Sequence, residues 1–106
     1  MIQSLGDERL DRVVRDVVAR AVRRLDPTRI WLFGSSVRRT NTRSSDVDLA
    51  FELSGPGSAA WAAFVMETED ELPALVELDL VDLATCAPTL IDEIKTTGQL
   101  VFERSP

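Results

Sequence analysis

Two carboxylates separated by one residue, in Ser45-Asp46-Val47-Asp48-Leu49, lie shortly downstream of a Gly-Ser turn, Gly34-Ser35-Ser36-Val37-Arg38. In a strand, side chains alternate faces, so Asp46 and Asp48 point the same way, roughly 7 Å apart along the chain. Like charges held that close repel unless a cation sits between them. Acids are also disfavoured in strands, so two of them in register on one face ask for a reason. The turn supplies a complementary feature, because its backbone N–H groups, with a helix start behind them, can receive phosphate oxygens. A Gly-Ser dipeptide alone carries little information. Joined to an Arg and an Asp-x-Asp pair, it points to Mg²⁺ and a nucleoside triphosphate.

A third acid extends the pattern. Asp79 lies in the apolar run Val76-Glu77-Leu78-Asp79-Leu80-Val81-Asp82-Leu83, where burying an unpartnered carboxylate is costly. A metal shared with Asp46 and Asp48 would remove that cost. Asp82 competes for the role, but in an unbroken strand it points away from the Asp79 face, so at most one of the two joins the site. Asp79 is favoured because Asp82 sits nearer the strand end, where exposure is easy. Glu77 shares a face with Asp79 and is a weaker candidate. Three carboxylates and a phosphate-binding turn fit two-metal phosphoryl chemistry, with two Mg²⁺ about 3.5–4 Å apart held by oxygen ligands.

Composition narrows the alternatives. The 106 residues contain no His and one Cys. That excludes a Ser-His-Asp triad, a His general base and an internal disulfide, and fits a reducing cytosol. The length predicts one domain over residues 1–106, with no room for a second, acceptor-binding one. No apolar run is long enough for a transmembrane helix, and the N-terminus lacks the marks of a signal peptide, so a cytoplasmic location is expected. A net charge of −6 makes stable direct nucleic-acid binding unexpected. Charge is unevenly placed: ten Arg residues, from Arg9 to Arg43, fall in the first 43 positions, and no Lys or Arg occurs from Asp46 to Asp82.

The elements that must position these groups follow from periodicity. Residues 7–25 predict a helix with an apolar stripe of Leu10, Val13, Val14, Val17, Val18, Ala21, Val22 and Leu25. Arg23 and Arg24 suit its C-terminal dipole end, and Asp26-Pro27 ends it. Ile30–Phe33 predicts a strand running into Gly34, then a helical turn to about Arg39 and a polar loop to Ser45. Val47–Leu53 is a second strand with Val47 and Leu49 facing the core. Ser54-Gly55-Pro56-Gly57 is a turn, followed by a helix from about Ser58 carrying Trp61, Phe64 and Val65 and bounded by Pro73. Val76–Leu83 is a third strand. Ala87-Pro88 opens a helix to about Thr97, Gly98 caps it, and Gln99–Glu103 is a last, edge strand. The order gives an α/β (α+β) domain with a mixed sheet of about four strands flanked by helices. Trp31 and Trp61 read as core residues, and Cys86 as a small half-buried one.

The whole pattern resembles the minimal nucleotidyltransferase (MNT) domains of the DNA polymerase β superfamily: a hydrophobic strand, Gly34-Ser35, Arg38, Asp46-x-Asp48, then Asp79 on a later strand. The resemblance runs from about Ile30 to Glu103, the catalytic core being residues 30–103. It implies a polymerase-β-like fold, with Ser35 and the Gly34-Ser35 backbone on the β- and γ-phosphates of ATP. Arg38 would position the triphosphate or pair with the carboxylates; Arg39 and Arg43 would contact phosphate or, the favoured reading, lie solvated at the surface. Asp46 and Asp48 would hold both Mg²⁺ ions, and Asp79 would hold the catalytic one and help deprotonate the acceptor hydroxyl. MNT proteins of this size resemble the antitoxins of HEPN/MNT toxin–antitoxin pairs. The resemblance therefore implies transfer of AMP from ATP to a tyrosine of a HEPN ribonuclease toxin, which silences it. Two other readings stand beside this one: neutralisation by binding alone through an acidic face, and a small-molecule (antibiotic) adenylyltransferase completed by a second subunit.

Overall fold

The computed structural model describes residues 8–34, 46–54, 58–72 and 77–104, the side chains at 8–10, 46 and 58 excepted. Helix α1 spans Glu8–Leu25, strand β1 Pro27–Phe33 and strand β2 Asp46–Leu53. Helix α2 spans Ser58–Glu71 and strand β3 Glu77–Asp82. A short 3₁₀ turn, Leu83–Thr85, precedes helix α3, Pro88–Thr97. Strand β4, Gln99–Glu103, closes the order. The expected turn and loop from Ser35 to Ser45, with Ser35, Arg38, Arg39 and Arg43, lie outside the described residues.

The four strands form one sheet in the order β3-β2-β1-β4. β1 is antiparallel to both β2 and β4, whereas β2 and β3 run parallel and α2 is the crossover between them. The sheet is therefore mixed, and β4 lies at an edge, both as expected.

Alternation divides the sheet's two faces. Ile30 and Leu32 of β1 and Val47, Leu49 and Phe51 of β2 pack with Val13, Val14, Val17 and Ala21 of α1 and Phe64 of α2. Phe51 is fully buried and meets Trp61 and Phe64 edge-on, with ring centroids 5.3 and 5.5 Å apart. Trp61 is half-buried and packs against the core through these ring contacts. The opposite face carries Ala50 under Leu83 and Ile94, with Trp31, Phe33, Leu90 and Ile91 around them. Ion pairs from Arg20 to Glu71 and from Arg24 to Glu67 tie α1 to α2 at the surface.

Three sequence expectations need correction. Val22 is 40 % exposed rather than part of the core stripe, because successive helix positions advance 100° and residue 22 falls beyond the face set by 14, 17, 21 and 25. β1 starts at Pro27, not Ile30. Asp26 stops the helix in a left-handed conformation (φ 49°), as a residue before proline disfavours the helical region, and the proline then opens the strand, where its missing N–H costs least. β3 ends at Asp82, not Leu83, because Asp82 caps the 3₁₀ turn by accepting from the Ala84 N–H at 2.9 Å.

Candidate functional site

Antiparallel pairing of β1 with β2 brings the C-terminal end of β1 beside the N-terminal half of β2, and parallel β3 adds its own N-terminal half. Phe33 pairs with Asp48. Asp48 in turn pairs with Asp79, and Asp46 with Glu77. Neighbouring strands are about 4.8 Å apart, so the backbones of Asp48 and Asp79 lie that close, with both side chains on the α3 face of the sheet. Asp48 is half-buried; Asp79 and Glu77 are exposed. Asp48, Glu77, Leu78 and Asp79 line a concavity of about 280 Å³.

Gly34 completes this corner. Its φ is +79°, a region that suits glycine, and a Cβ at this position would overlap the Asp48 carboxylate at Oδ2. Glycine at 34 therefore suits the backbone angle and leaves the Asp48 carboxylate room that a Cβ would take. On its other side Gly34 borders a second hollow of about 200 Å³, lined by Phe33, Leu90, Glu93, Ile94 and Thr97.

Asp82 is engaged elsewhere. Its carboxylate caps the 3₁₀ turn, and its main-chain oxygen accepts from the Thr85 hydroxyl at 3.0 Å and from the Cys86 thiol. Burial, with the Asp82 charge, pushes the Cys86 thiol up, away from the thiolate that a nucleophile needs. The register thus sets Asp79, not Asp82, beside Asp48. Asp46 occupies its expected strand position, its side chain outside the description. Ser35 and Arg38 are outside the described residues.

Among the described residues, the charged side chains lining the Asp48–Asp79 concavity are all acidic, while Arg38, Arg39 and Arg43 fall in the segment 35–45 outside them. Between Asp46 and Ile94 the sequence has no Lys or Arg. Of the cations on the neighbouring elements, Lys95 and Arg29 are held by Glu52, at 2.9 and 3.2 Å. Burial works to raise the Glu52 carboxyl, but these two cations outweigh it and hold it below its ordinary value.

The donors suit a hard cation. They are carboxylate oxygens on facing strands, with space cleared by Gly34, and Mg²⁺ favours such ligands completed by water and phosphate. Among the described residues no three acidic, His or Cys side chains converge tightly enough to hold a metal by themselves. A metal site here would draw on Asp46 as well as on Asp48 and Asp79.

The contribution of α3 was missed in the sequence. The signal was Gly98, which reads only as a helix cap. Its φ is −75°, so it is not needed for a left-handed turn. A Cβ there would instead press on the Ile94 carbonyl oxygen and stand 3.1 Å from that of Leu32. Gly98 lets α3 close onto the end of β1, and so lets α3 wall the hollow beside Gly34.

The sheet thus carries facing acids on β2 and β3 beside Gly34 at one corner. The family described as "Polymerase beta, Nucleotidyltransferase" matches residues 17–106, and the chain belongs to that family. No curated protein matches the chain. Among solved structures, a chain of a toxin–antitoxin complex with AMP-PNP is similar at 23 % identity and TM-score 0.65, covering 89 % of this chain and 73 % of that one. A complex of tri-AMPylated Shewanella oneidensis HEPN toxin with MNT antitoxin is similar at 20 % identity and TM-score 0.58, over 91 % and 71 %. A chain of the MntA–HepT toxin–antitoxin complex is similar at 19 % identity and TM-score 0.60, over 92 % and 74 %. At such identities the likeness shows the shared fold. No described helix is long and apolar enough to cross a membrane.

Proposed function

We propose that this chain is a Mg²⁺-dependent adenylyltransferase that acts as an antitoxin, moving AMP from ATP to a tyrosine of a cognate HEPN ribonuclease toxin. The observation that carries the reading is the row formed by Gly34 at the end of β1, Asp48 on β2 and Asp79 on β3. Family membership supports nucleotidyl transfer. The similar chains from toxin–antitoxin complexes, one with AMP-PNP and one with an AMPylated toxin, support the nucleotide and the acceptor.

In this reading Gly34 and Ser35 present backbone N–H groups to the triphosphate, and Arg38 adds a positive charge to it. Asp46, Asp48 and Asp79 would hold Mg²⁺, which when bound would supply charge neutralisation for the triphosphate and Lewis acidity toward the acceptor hydroxyl. Asp79, on the strand farthest from Gly34, accepts the proton of the attacking tyrosine hydroxyl. Glycine at 34 keeps the Asp48 carboxylate pressed against the turn, so phosphate and carboxylate groups are held in fixed relation before substrate arrives.

A second reading rests on the charge distribution. Met66 is 72 % exposed on α2, next to the exposed acids Glu69 and Asp70, and such a face could cover a basic ribonuclease surface by binding alone. A small-molecule acceptor brought by a second subunit is the third.

Co-expression with the HEPN-type partner separates these readings. If catalysis protects, D46A/D48A loses both partner labelling from ATP and protection of cells. If the double variant protects as well as the wild type, binding is the mechanism. If aminoglycosides are labelled in place of the partner, the small-molecule reading holds.

A further inference from the structure

We infer that Glu77 selects the acceptor: it favours a tyrosine presented beside a Lys or Arg and disfavours acceptors flanked by phosphate. This rests on the adenylyl-transfer reading above and names the chemistry of the surface that reading requires.

Position comes first. Asp79 and Glu77 are two residues apart on β3, so their side chains share a face. Glu77 is exposed and lines the same concavity as Asp48 and Asp79. Across the sheet the order runs from Gly34, just past the end of β1, through Asp48 on β2 to Asp79 on β3, and β3 is an edge strand. Attacking and leaving oxygens lie roughly in line in phosphoryl transfer. With the triphosphate on the Gly34 turn, pyrophosphate departs toward β1. The tyrosine oxygen therefore approaches from the β3 side, attacks the α-phosphorus as the bond to pyrophosphate breaks, and gives its proton to Asp79. Glu77 stands on that approach.

Charge then decides what Glu77 does there. In the adenylyl-transfer reading Asp46, Asp48 and Asp79 would supply the acids for a metal. No Lys or Arg occurs between residues 46 and 94, and Arg38, Arg39 and Arg43 follow Gly34 in the sequence, after β1 rather than on β3. Asp82 faces away and caps a turn, and Lys95 and Arg29 are held by Glu52. A fourth carboxylate facing the reaction centre repels phosphate, so it opposes a nucleic-acid strand bringing its 3′-hydroxyl. A cationic side chain next to the acceptor hydroxyl is drawn to it, and an unpaired charge at the rim of an interface acts mainly on encounter and partner choice.

Steady-state kinetics with Mg²⁺, ATP and the co-expressed HEPN-type partner tests this. Glu77→Gln raises KM for the partner about fivefold, the size of one exposed ion pair, and weakens its salt dependence, while KM for ATP and the Mg²⁺ half-saturation stay within about twofold. As a direct probe, the peptide acetyl-Lys-Tyr-Lys-amide inhibits wild-type labelling more strongly than acetyl-Gln-Tyr-Gln-amide, and the difference disappears in E77Q. Equal inhibition by the two peptides with the wild type overturns the inference. So does an E77Q effect confined to Mg²⁺, which would make Glu77 a metal ligand, or no E77Q effect at all, which would make it a solvated surface acid. If the wild type labels no partner under any condition, the adenylyl-transfer reading itself fails.

Discussion

Gly34 and Asp48 approach so closely that a Cβ on residue 34 would overlap the Asp48 carboxylate. The contact joins two sequence motifs, the Gly-Ser turn and the Asp-x-Asp strand, through the antiparallel register of β1 and β2. Each motif alone is commonplace; their contact is what makes the corner specific.

Gly34→Ala should therefore damage both stability and function. The left-handed φ costs an L-residue about 1–2 kcal/mol, and the overlap displaces the Asp48 side chain. Urea unfolding should show a loss of about 1–3 kcal/mol, and binding of Mg²⁺–ATP should weaken even where the variant is fully folded. A variant with wild-type stability and affinity would mean that the turn relaxes freely.

Asp79→Asn should separate function from stability. Asp48 and Asp79 are like charges on directly paired residues, so neutralising one relieves repulsion. Thermal or urea unfolding should leave stability unchanged or raised by up to about 1 kcal/mol, as is usual when a strained site is relaxed. Nucleotide transfer should fall by orders of magnitude. A clear destabilisation would instead mark Asp79 as a structural residue.

Much of this was legible in the sequence, for identifiable reasons. The 3.6-residue stripe of Val13, Val14, Val17 and Ala21, and the alternation of Val47, Leu49 and Phe51, each report burial on one face. Strand parity allowed only one of Asp79 and Asp82 beside Asp48, and the register makes it Asp79. The reason for preferring Asp79, easier exposure of Asp82 near the strand end, is reversed, since Asp79 is exposed and Asp82 half-buried. What periodicity does not carry is contact between distant segments. Nothing local in Gly98 shows that it lets α3 close against Leu32, and nothing in Glu52 shows that Lys95 and Arg29 converge on it. Val22 was misjudged because a Val at the boundary of a stripe has the same composition inside the core or outside it.

The Glu52 cluster gives a pH signature. Its carboxyl is held below the ordinary value of 4.5 by Lys95 and Arg29 against the opposing effect of burial. A depressed carboxyl contributes stability that is fully present above its unfolded value, about 4.5, and is lost as pH falls through the lower folded value. Glu52→Gln should cost about 1–2 kcal/mol at neutral pH and flatten the loss of stability below about pH 4.5. Unfolding free energies measured across the acid range would show it; an unchanged acid limb would assign that limb to other carboxylates.

Phe51→Ala should be the most destabilising of these changes. Phe51 is fully buried and touches both Trp61 and Phe64, so truncation leaves a cavity between β2 and α2 and should cost about 3–5 kcal/mol. Denaturant titration followed by tryptophan fluorescence reads both the stability and the environment of Trp61. A cost below about 1 kcal/mol would mean that α2 collapses onto the sheet without strain.

The central claim is that the Asp46–Asp48–Asp79 corner transfers AMP to a protein tyrosine. Intact-mass and peptide mass spectrometry of the HEPN-type partner, after incubation with this chain, Mg²⁺ and ATP, measures that directly. The account predicts an AMP adduct on a tyrosine with the wild type and none with D46A/D48A. An unmodified partner that is nonetheless neutralised by the wild-type chain would contradict it.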